Sequence, residues 1–114
     1  MSAAPAFTGV RGVLFDLDGT LIDSRRDLAT AVNLLRADYH LAPLSVETVT
    51  SFIGDGARHL VRRALSDTSA DIDQAVPRFK HHYAAHMTDD TCCYPGTHDT
   101  LAALHAAGLR CAVI

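Results

Sequence analysis

No run of apolar residues in the 114-residue sequence approaches the ~20 that a membrane-spanning helix needs, so the membrane is not an expected partner. Positive charge is not in excess either: 10 basic residues face 13 acidic ones, for a net charge of −3. A general nucleic-acid binder would show a basic stripe, so nucleic acid is not an expected partner. The N-terminal stretch MSAAPAFTGV has no basic segment followed by a long apolar core, and no signal peptide is read there. Cysteine is scarce, with only Cys92, Cys93 and Cys111. An odd count without a spaced framework does not suggest a disulfide scaffold, and a reducing cytoplasm is the expected setting. No CxxC pair occurs. His82 and His86, four apart on an expected helix, lie near Cys92 and Cys93, but adjacent cysteines are poor zinc ligands. Solvent-facing histidines and buried thiols are the expectation there. Internal repeats and low-complexity segments are also missing.

What remains is an ordinary globular composition, 48% hydrophobic and 20% charged, at a length suited to about one domain. Val10 to Phe15 reads as a short buried strand. Ser24 is placed to cap a helix from about Arg25 to Tyr39, with Leu28, Ala31, Val32 and Leu35 on one face. Ser45 can cap a short helix through Phe52. Gly54 and Gly56 make a tight turn, and the following helix turns Leu60, Val61, Ala64 and Leu65 inward. A fourth helical region runs from Ile72 to about Met87, with Ile72, Val76, Phe79, Tyr83 and Met87 as its stripe. Pro77 is expected to kink it or to start a new helix. Cys92 to Thr97 reads as a turn, and a helix from about Thr97 to Ala107 uses Leu101 and Leu104 as its inner face. Gly108 suits its C′ position. Leu109 to Ile114 reads as a second buried strand. The order predicts an α/β fold, a parallel core with an inserted helical module. Two parallel strands make a poor sheet, so the chain reads as the first part of something longer.

Chemistry concentrates in VLFDLDGTLIDS, Val13 to Ser24. Asp16 leaves the carboxyl end of the first strand, where open α/β sheets place their ligands. Asp18 shares its side, and Gly19 permits a turn that a Cβ would forbid. Backbone N–H groups of Leu17, Gly19 and Thr20 are expected to converge on an anion. A carboxylate and a phosphate repel unless a divalent cation bridges them. Mg²⁺ suits that role, because it takes one or two carboxylates plus phosphate and water. Asp16 then reads as the nucleophile that attacks phosphorus, and Asp18 as the proton carrier. A calcium loop starting at Asp16 needs glycine at its sixth position, where Leu21 stands, and is rejected. A plain Asp-Gly turn does not account for the full run of apolar strand, Asp-x-Asp-Gly-Thr, apolar pair and Asp.

FDLDGTLIDS resembles the first motif of haloacid dehalogenase-like hydrolases, a superfamily dominated by Mg²⁺-dependent phosphatases. IGDGARHLVRRAL, Ile53 to Leu65, is similar to the cap segment of phosphoglycolate phosphatases, and YPGT at Tyr94–Thr97 to the turn by which such chains return to the core. The resemblance implies a partial Rossmann-like parallel sheet core at 1–20 and 91–114 and a helical cap at 21–90. It implies Asp16 as nucleophile and Mg²⁺ ligand, and Asp18 as general acid/base that gives its backbone carbonyl to the metal. Thr20 would hold the loop. Gly54, Asp55 and Gly56 place backbone N–H groups at a helix N-terminus, a ready anion site with Arg58 just beyond, and are expected to read the non-phosphate end of a substrate; a plain tight turn with a solvated Arg58 is the alternative. An acid at the position of Asp18 favours phosphate esters over haloacids and phosphonates. Lys80 lies too late in the cap for a phosphonatase lysine. The family's second, third and fourth motifs are absent from these 114 residues, so the core reads as truncated and inactive alone. The implied activity is hydrolysis of a small phosphorylated metabolite, foremost 2-phosphoglycolate. Sugar phosphatase, β-phosphoglucomutase, pyrophosphatase or a non-catalytic helical fragment are the alternatives. Oligomeric state is not legible.

Overall fold

The computed structural model describes residues 7–114. The first six residues, part of the stretch read as carrying no signal peptide, lie outside the described residues. The chain forms two compact units, Ser24–Cys92 and the residues up to Asp23 together with Cys93–Ile114.

The Ser24–Cys92 unit is helical. It contains α1 (Arg25–Asp38), α2 (Val46–Thr50), α3 (Ala57–Ala64) and α4 (Ile72–His86). The α1 stripe packs as its spacing requires: Leu28, Ala31, Val32 and Leu35 are all buried. They meet Val49 of α2, Leu60, Val61 and Ala64 of α3, and Ala75 and Phe79 of α4 in one cluster. Ser45 caps α2 as expected, its hydroxyl accepting from the Thr48 N–H at 3.1 Å. Ser24 stands at the N-cap of α1 but makes no capping hydrogen bond with its side chain. Pro77 does not begin a new helix; it lies inside one continuous helix. It forfeits one backbone bond, and burial of Ala75 and Phe79 on either side holds the turn together. Met87, placed on the stripe by spacing alone, falls just past the helix end and is exposed.

A buried arginine staples this unit. Arg36 donates from Nε to the Ala42 carbonyl and from a terminal nitrogen to the Ala64 carbonyl, each at 2.6 Å. Both terminal nitrogens also reach the Asp67 carboxylate, at 3.0 and 3.1 Å. That fork holds the Asp67 carboxyl below the usual carboxylate range. Asn33 holds the loop before α2, donating to the Leu44 carbonyl and accepting from its N–H.

The other unit holds β1 (Gly12–Phe15), β2 (Ile22–Asp23), α5 (Thr97–Ala106) and β4 (Arg110–Val113), with β3 (Cys92–Cys93) at its edge. β1 and β4 pair in parallel, Gly12 opposite Arg110 and Phe15 opposite Val113. A Cβ on Gly12 would lie 3.2 Å from the Arg110 carbonyl oxygen, so the close strand approach uses the missing side chain. The first strand starts two residues later than Val10, which is exposed. Neither strand is buried as expected. Leu14 is 68% exposed, Val113 52% and Ile114 78%. A parallel sheet is buried only when both faces are covered, and a two-stranded one has too little to cover it. Cys92 and Cys93, read as part of a turn, are extended and form a two-stranded sheet with β2. Leu21 anchors the unit: its carbonyl accepts from the Tyr94 N–H at 3.1 Å and from the Thr97 hydroxyl at 3.0 Å. Gly108 takes the C′ position of α5 with φ 80°, and the Leu109 N–H returns to the Leu104 carbonyl.

Candidate functional site

Asp16 follows directly on Phe15, the last residue of β1, and Asp18 comes two residues later, so the parallel strand delivers both to its carboxyl end. Both are exposed, as are Leu17, Gly19 and Thr20. Asp16 Oδ1 accepts the Leu17 N–H at 2.9 Å, which fixes that oxygen and leaves Oδ2 outward of this contact. The loop then closes on one acceptor: the Leu17 carbonyl receives the N–H groups of Thr20, Leu21 and Ile22, at 3.2, 3.0 and 3.2 Å. Gly19 turns with φ 78°, and its N–H goes to the Ile22 carbonyl at 2.9 Å.

This corrects one expectation. The N–H groups of Leu17, Gly19 and Thr20 do not converge on an open anion site; each is spent inside the loop. A turn with three N–H groups on one carbonyl satisfies those donors within itself. What the loop presents to a cation is therefore oxygen of Asp16 and Asp18. Two exposed hard-oxygen ligands match the small protein share that Mg²⁺ takes alongside phosphate and water. They do not make a cage, and among the described residues no group of three or more His, Cys, Asp or Glu could hold a metal ion. The zinc set considered from His82, His86, Cys92 and Cys93 is thus not assembled. His82 instead meets Asp38 at 2.7 Å and His86 meets Asp89 at 2.7 Å. The three cysteines, expected to be buried, are exposed and free.

The second group of sequence-singled residues belongs to the helical unit. Gly54 and Gly56 have φ 129° and 88°, backbone that only glycine adopts without strain, and Gly56 is the N-cap of α3. Asp55 between them is paired with Arg63. That hydrogen bond and the guanidinium charge hold the Asp55 carboxyl below the usual range. Arg63 also donates to the Phe52 carbonyl at 2.8 Å, so it ties the Gly-Asp-Gly turn back to its own helix. Arg58 is exposed and forms an ion pair with Asp73 at 2.7 Å. Asp16, Asp18 and Thr20 thus share one loop of the sheet unit, while Gly54, Asp55, Gly56 and Arg58 share one turn of the helical unit.

Two residues of consequence were not singled out by sequence. Arg63 is one; its place late in α3, facing back toward Asp55, gave no local sign. Asp27 is the other. It is fully buried and lies on the same α1 stripe as Ala31 and Leu35. A carboxylate at an apolar position was the available signal.

The family model described as "Haloacid dehalogenase-like hydrolase" matches residues 13–114. The chain is 40% identical over 111 residues to a phosphoglycolate phosphatase of Nitrosospira multiformis, covering 92% of this chain and 49% of that protein. It is 43% identical over 105 residues to a phosphoglycolate phosphatase of Agrobacterium fabrum, covering 88% and 45%. A crystal structure of a predicted phosphoglycolate phosphatase from Haemophilus somnus superposes with a TM-score of 0.85 at 31% identity, over 94% of this chain and 52% of that one. The chain spans about half the length of the curated relatives it matches.

Proposed function

From a chain that belongs to the haloacid dehalogenase-like hydrolase family, we propose the nucleophile loop and helical cap of a phosphomonoester hydrolase acting on 2-phosphoglycolate. Residues 1–20 and 91–114 belong to its core and 21–90 to its cap. The observation that carries the reading is the exposed Asp16–Asp18 pair at the carboxyl end of a parallel strand, in a chain similar to phosphoglycolate phosphatases over nearly all its length.

Asp16 attacks phosphorus through Oδ2, since Oδ1 is engaged by the Leu17 N–H. The new O–P bond forms as the ester O–P bond breaks. Asp18, protonated, gives its proton to the leaving alkoxide oxygen. As carboxylate it then takes a proton from the water that attacks the phosphorylated Asp16, and the Asp16–phosphorus bond breaks to release phosphate. Mg²⁺, held by the Asp16 carboxylate and the Asp18 backbone carbonyl, would neutralise phosphate charge when bound. Thr20 maintains the turn. Gly54, Asp55, Gly56 and Arg58 read the non-phosphate end of the substrate, a carboxylate that a guanidinium suits. The exposed thiols fit a cytoplasmic setting. A sugar phosphate or pyrophosphate substrate is the second reading, and it would follow if Arg58 remained committed to Asp73 during turnover.

The test is a hybrid of this chain with the part of the Nitrosospira multiformis protein that the match leaves uncovered. It is expected to release phosphate from 2-phosphoglycolate with Mg²⁺. Asp16→Asn is expected to lower kcat by about 10³-fold or more, as loss of a nucleophile does. Asp18→Asn is expected to slow an alkyl phosphate more than p-nitrophenyl phosphate, whose leaving group needs no proton. Residues 1–114 alone are expected to release no more phosphate than their own Asp16→Asn variant. Near-normal turnover by the Asp16→Asn hybrid would overturn the assignment.

A further inference from the structure

We infer that Asp27 is the clasp that closes the helical unit on itself, locking the residues before its return crossing to the residues after its outward one. Asp27 lies three residues past the start of the unit, in the first turn of α1. Its carboxylate has no exposure. Its carboxylate is held by two residues more than sixty positions away. Both oxygens accept the Asp90 N–H at 3.0 Å. Oδ2 also accepts the Thr91 N–H at 2.8 Å and the Thr91 hydroxyl at 2.6 Å. Asp90 and Thr91 directly precede the last residue of the unit, Cys92.

A buried carboxylate is costly to desolvate, and it persists only when its lone pairs are satisfied. Here three donors satisfy it, and the first turn of a helix adds the positive end of the backbone dipole. Burial pushes the Asp27 carboxyl up. The Thr91 hydroxyl, the N–H groups of Asp90 and Thr91 and the charge of His86 outweigh that and hold it below the usual range. The segment it grips has no helix or strand of its own at 87–91 to hold it. Without the clasp, the amides of Asp90 and Thr91 would have no partner within the unit. With it, the outgoing and returning ends of the unit are fixed to each other independently of anything outside 24–92. This inference does not depend on the substrate, on Mg²⁺ or on the roles proposed for Asp16 and Asp18.

Amide hydrogen exchange on the 114-residue chain, resolved by residue, tests it. In Asp27→Asn the Asn NH₂ meets N–H donors where the carboxylate met them. The amides of Asp90 and Thr91 are expected to exchange more than tenfold faster, with Val32, Leu35 and Val61 within about twofold of the parent. Thr91→Val removes only the hydroxyl donor at nearly constant volume and is expected to accelerate the Asp90 and Thr91 amides severalfold, again without moving the core amides. Two results would overturn the clasp. One is unchanged exchange at Asp90 in Thr91→Val, which decides the matter even if Asp27→Asn does not fold. The other is an Asp27→Asn chain in which core amides accelerate as much as those of 90 and 91.

Discussion

The two units differ in how far their own residues close them. Every member of the buried apolar cluster, from Leu28 to Phe79, lies within the helical unit. Among the described residues of the sheet unit only Leu21 is a buried hydrophobic, and Leu14, Val113 and Ile114 stand more than half exposed. The cause is in the elements themselves. A helix satisfies its backbone internally and needs only one stripe covered, which four helices can do for one another. A parallel strand needs a neighbour on each edge and a layer on each face. The same apolar content therefore makes a core in one unit and an open surface in the other.

The largest effect that could break this contrast is a core truncation placed in each unit. Phe79 is 2% exposed and stacks against Tyr83 with ring centroids 6.0 Å apart. Phe79→Ala is expected to cost about 3–5 kcal/mol, enough to erase most of the helical circular dichroism. Leu14→Ala, an equally drastic change of side chain in β1, is expected to stay within about 0.5 kcal/mol, because its leucine buries little. Thermal or urea unfolding of both variants measures this. A Leu14→Ala loss comparable to that of Phe79→Ala would mean that the sheet face is covered in solution.

A smaller effect sharpens the same contrast through pH. Among the described carboxylates, the one that is fully buried is Asp27, in the helical unit. Its folded-state carboxyl lies below its ordinary value near 3.9. Such a group contributes stability that is present above the unfolded value and is lost as pH falls through the folded one. The helical unit is therefore expected to lose stability as pH drops below about 4, the ordinary carboxyl value. Asp27→Asn should flatten that part of the slope while lowering stability at neutral pH. Unfolding followed by circular dichroism between acid and neutral pH checks it, and a slope unchanged in Asp27→Asn would remove Asp27 as its source.

How much of this was legible in the sequence follows the same division. The α1 stripe, the Ser45 cap and Gly108 at C′ are local signals, each set by residues within a turn or two of one another. They appear where their spacing placed them. The new helix start allowed at Pro77 is not taken, because the local rule met tertiary burial on both sides of it. Strand β3 was read as a turn because its extension depends on β2, some seventy residues earlier. The Asp16–Asp18 loop was visible as a motif, but its hydrogen bonding was not. Residue types do not show that the Leu17 carbonyl takes three N–H groups. Asp27 was missed because its partners arrive only when the chain returns.

The smallest effect on stability is expected at Arg58, and for that reason it separates binding from folding. Arg58 and Asp73 form an ion pair with both side chains more than half exposed, at 52% and 76%. Exposed pairs of this kind contribute about 0.2–1 kcal/mol, so Arg58→Ala should leave the unfolding midpoint nearly unmoved. The helical core beneath it, with Leu60 and Val61 of the same helix buried, does not depend on that side chain. A change in substrate binding would then report on recognition and not on loss of fold. In the hybrid enzyme, Arg58→Ala is expected to raise KM for 2-phosphoglycolate about tenfold while changing KM for a neutral phosphomonoester little. An interaction with a carboxylate of roughly 1.4 kcal/mol corresponds to that factor. Asp73→Asn removes the partner that now occupies the guanidinium, and should lower KM for 2-phosphoglycolate or leave it unchanged. Equal effects of Arg58→Ala on both substrates would mean that Arg58 serves only its pair with Asp73, and that the non-phosphate end of the substrate is read elsewhere.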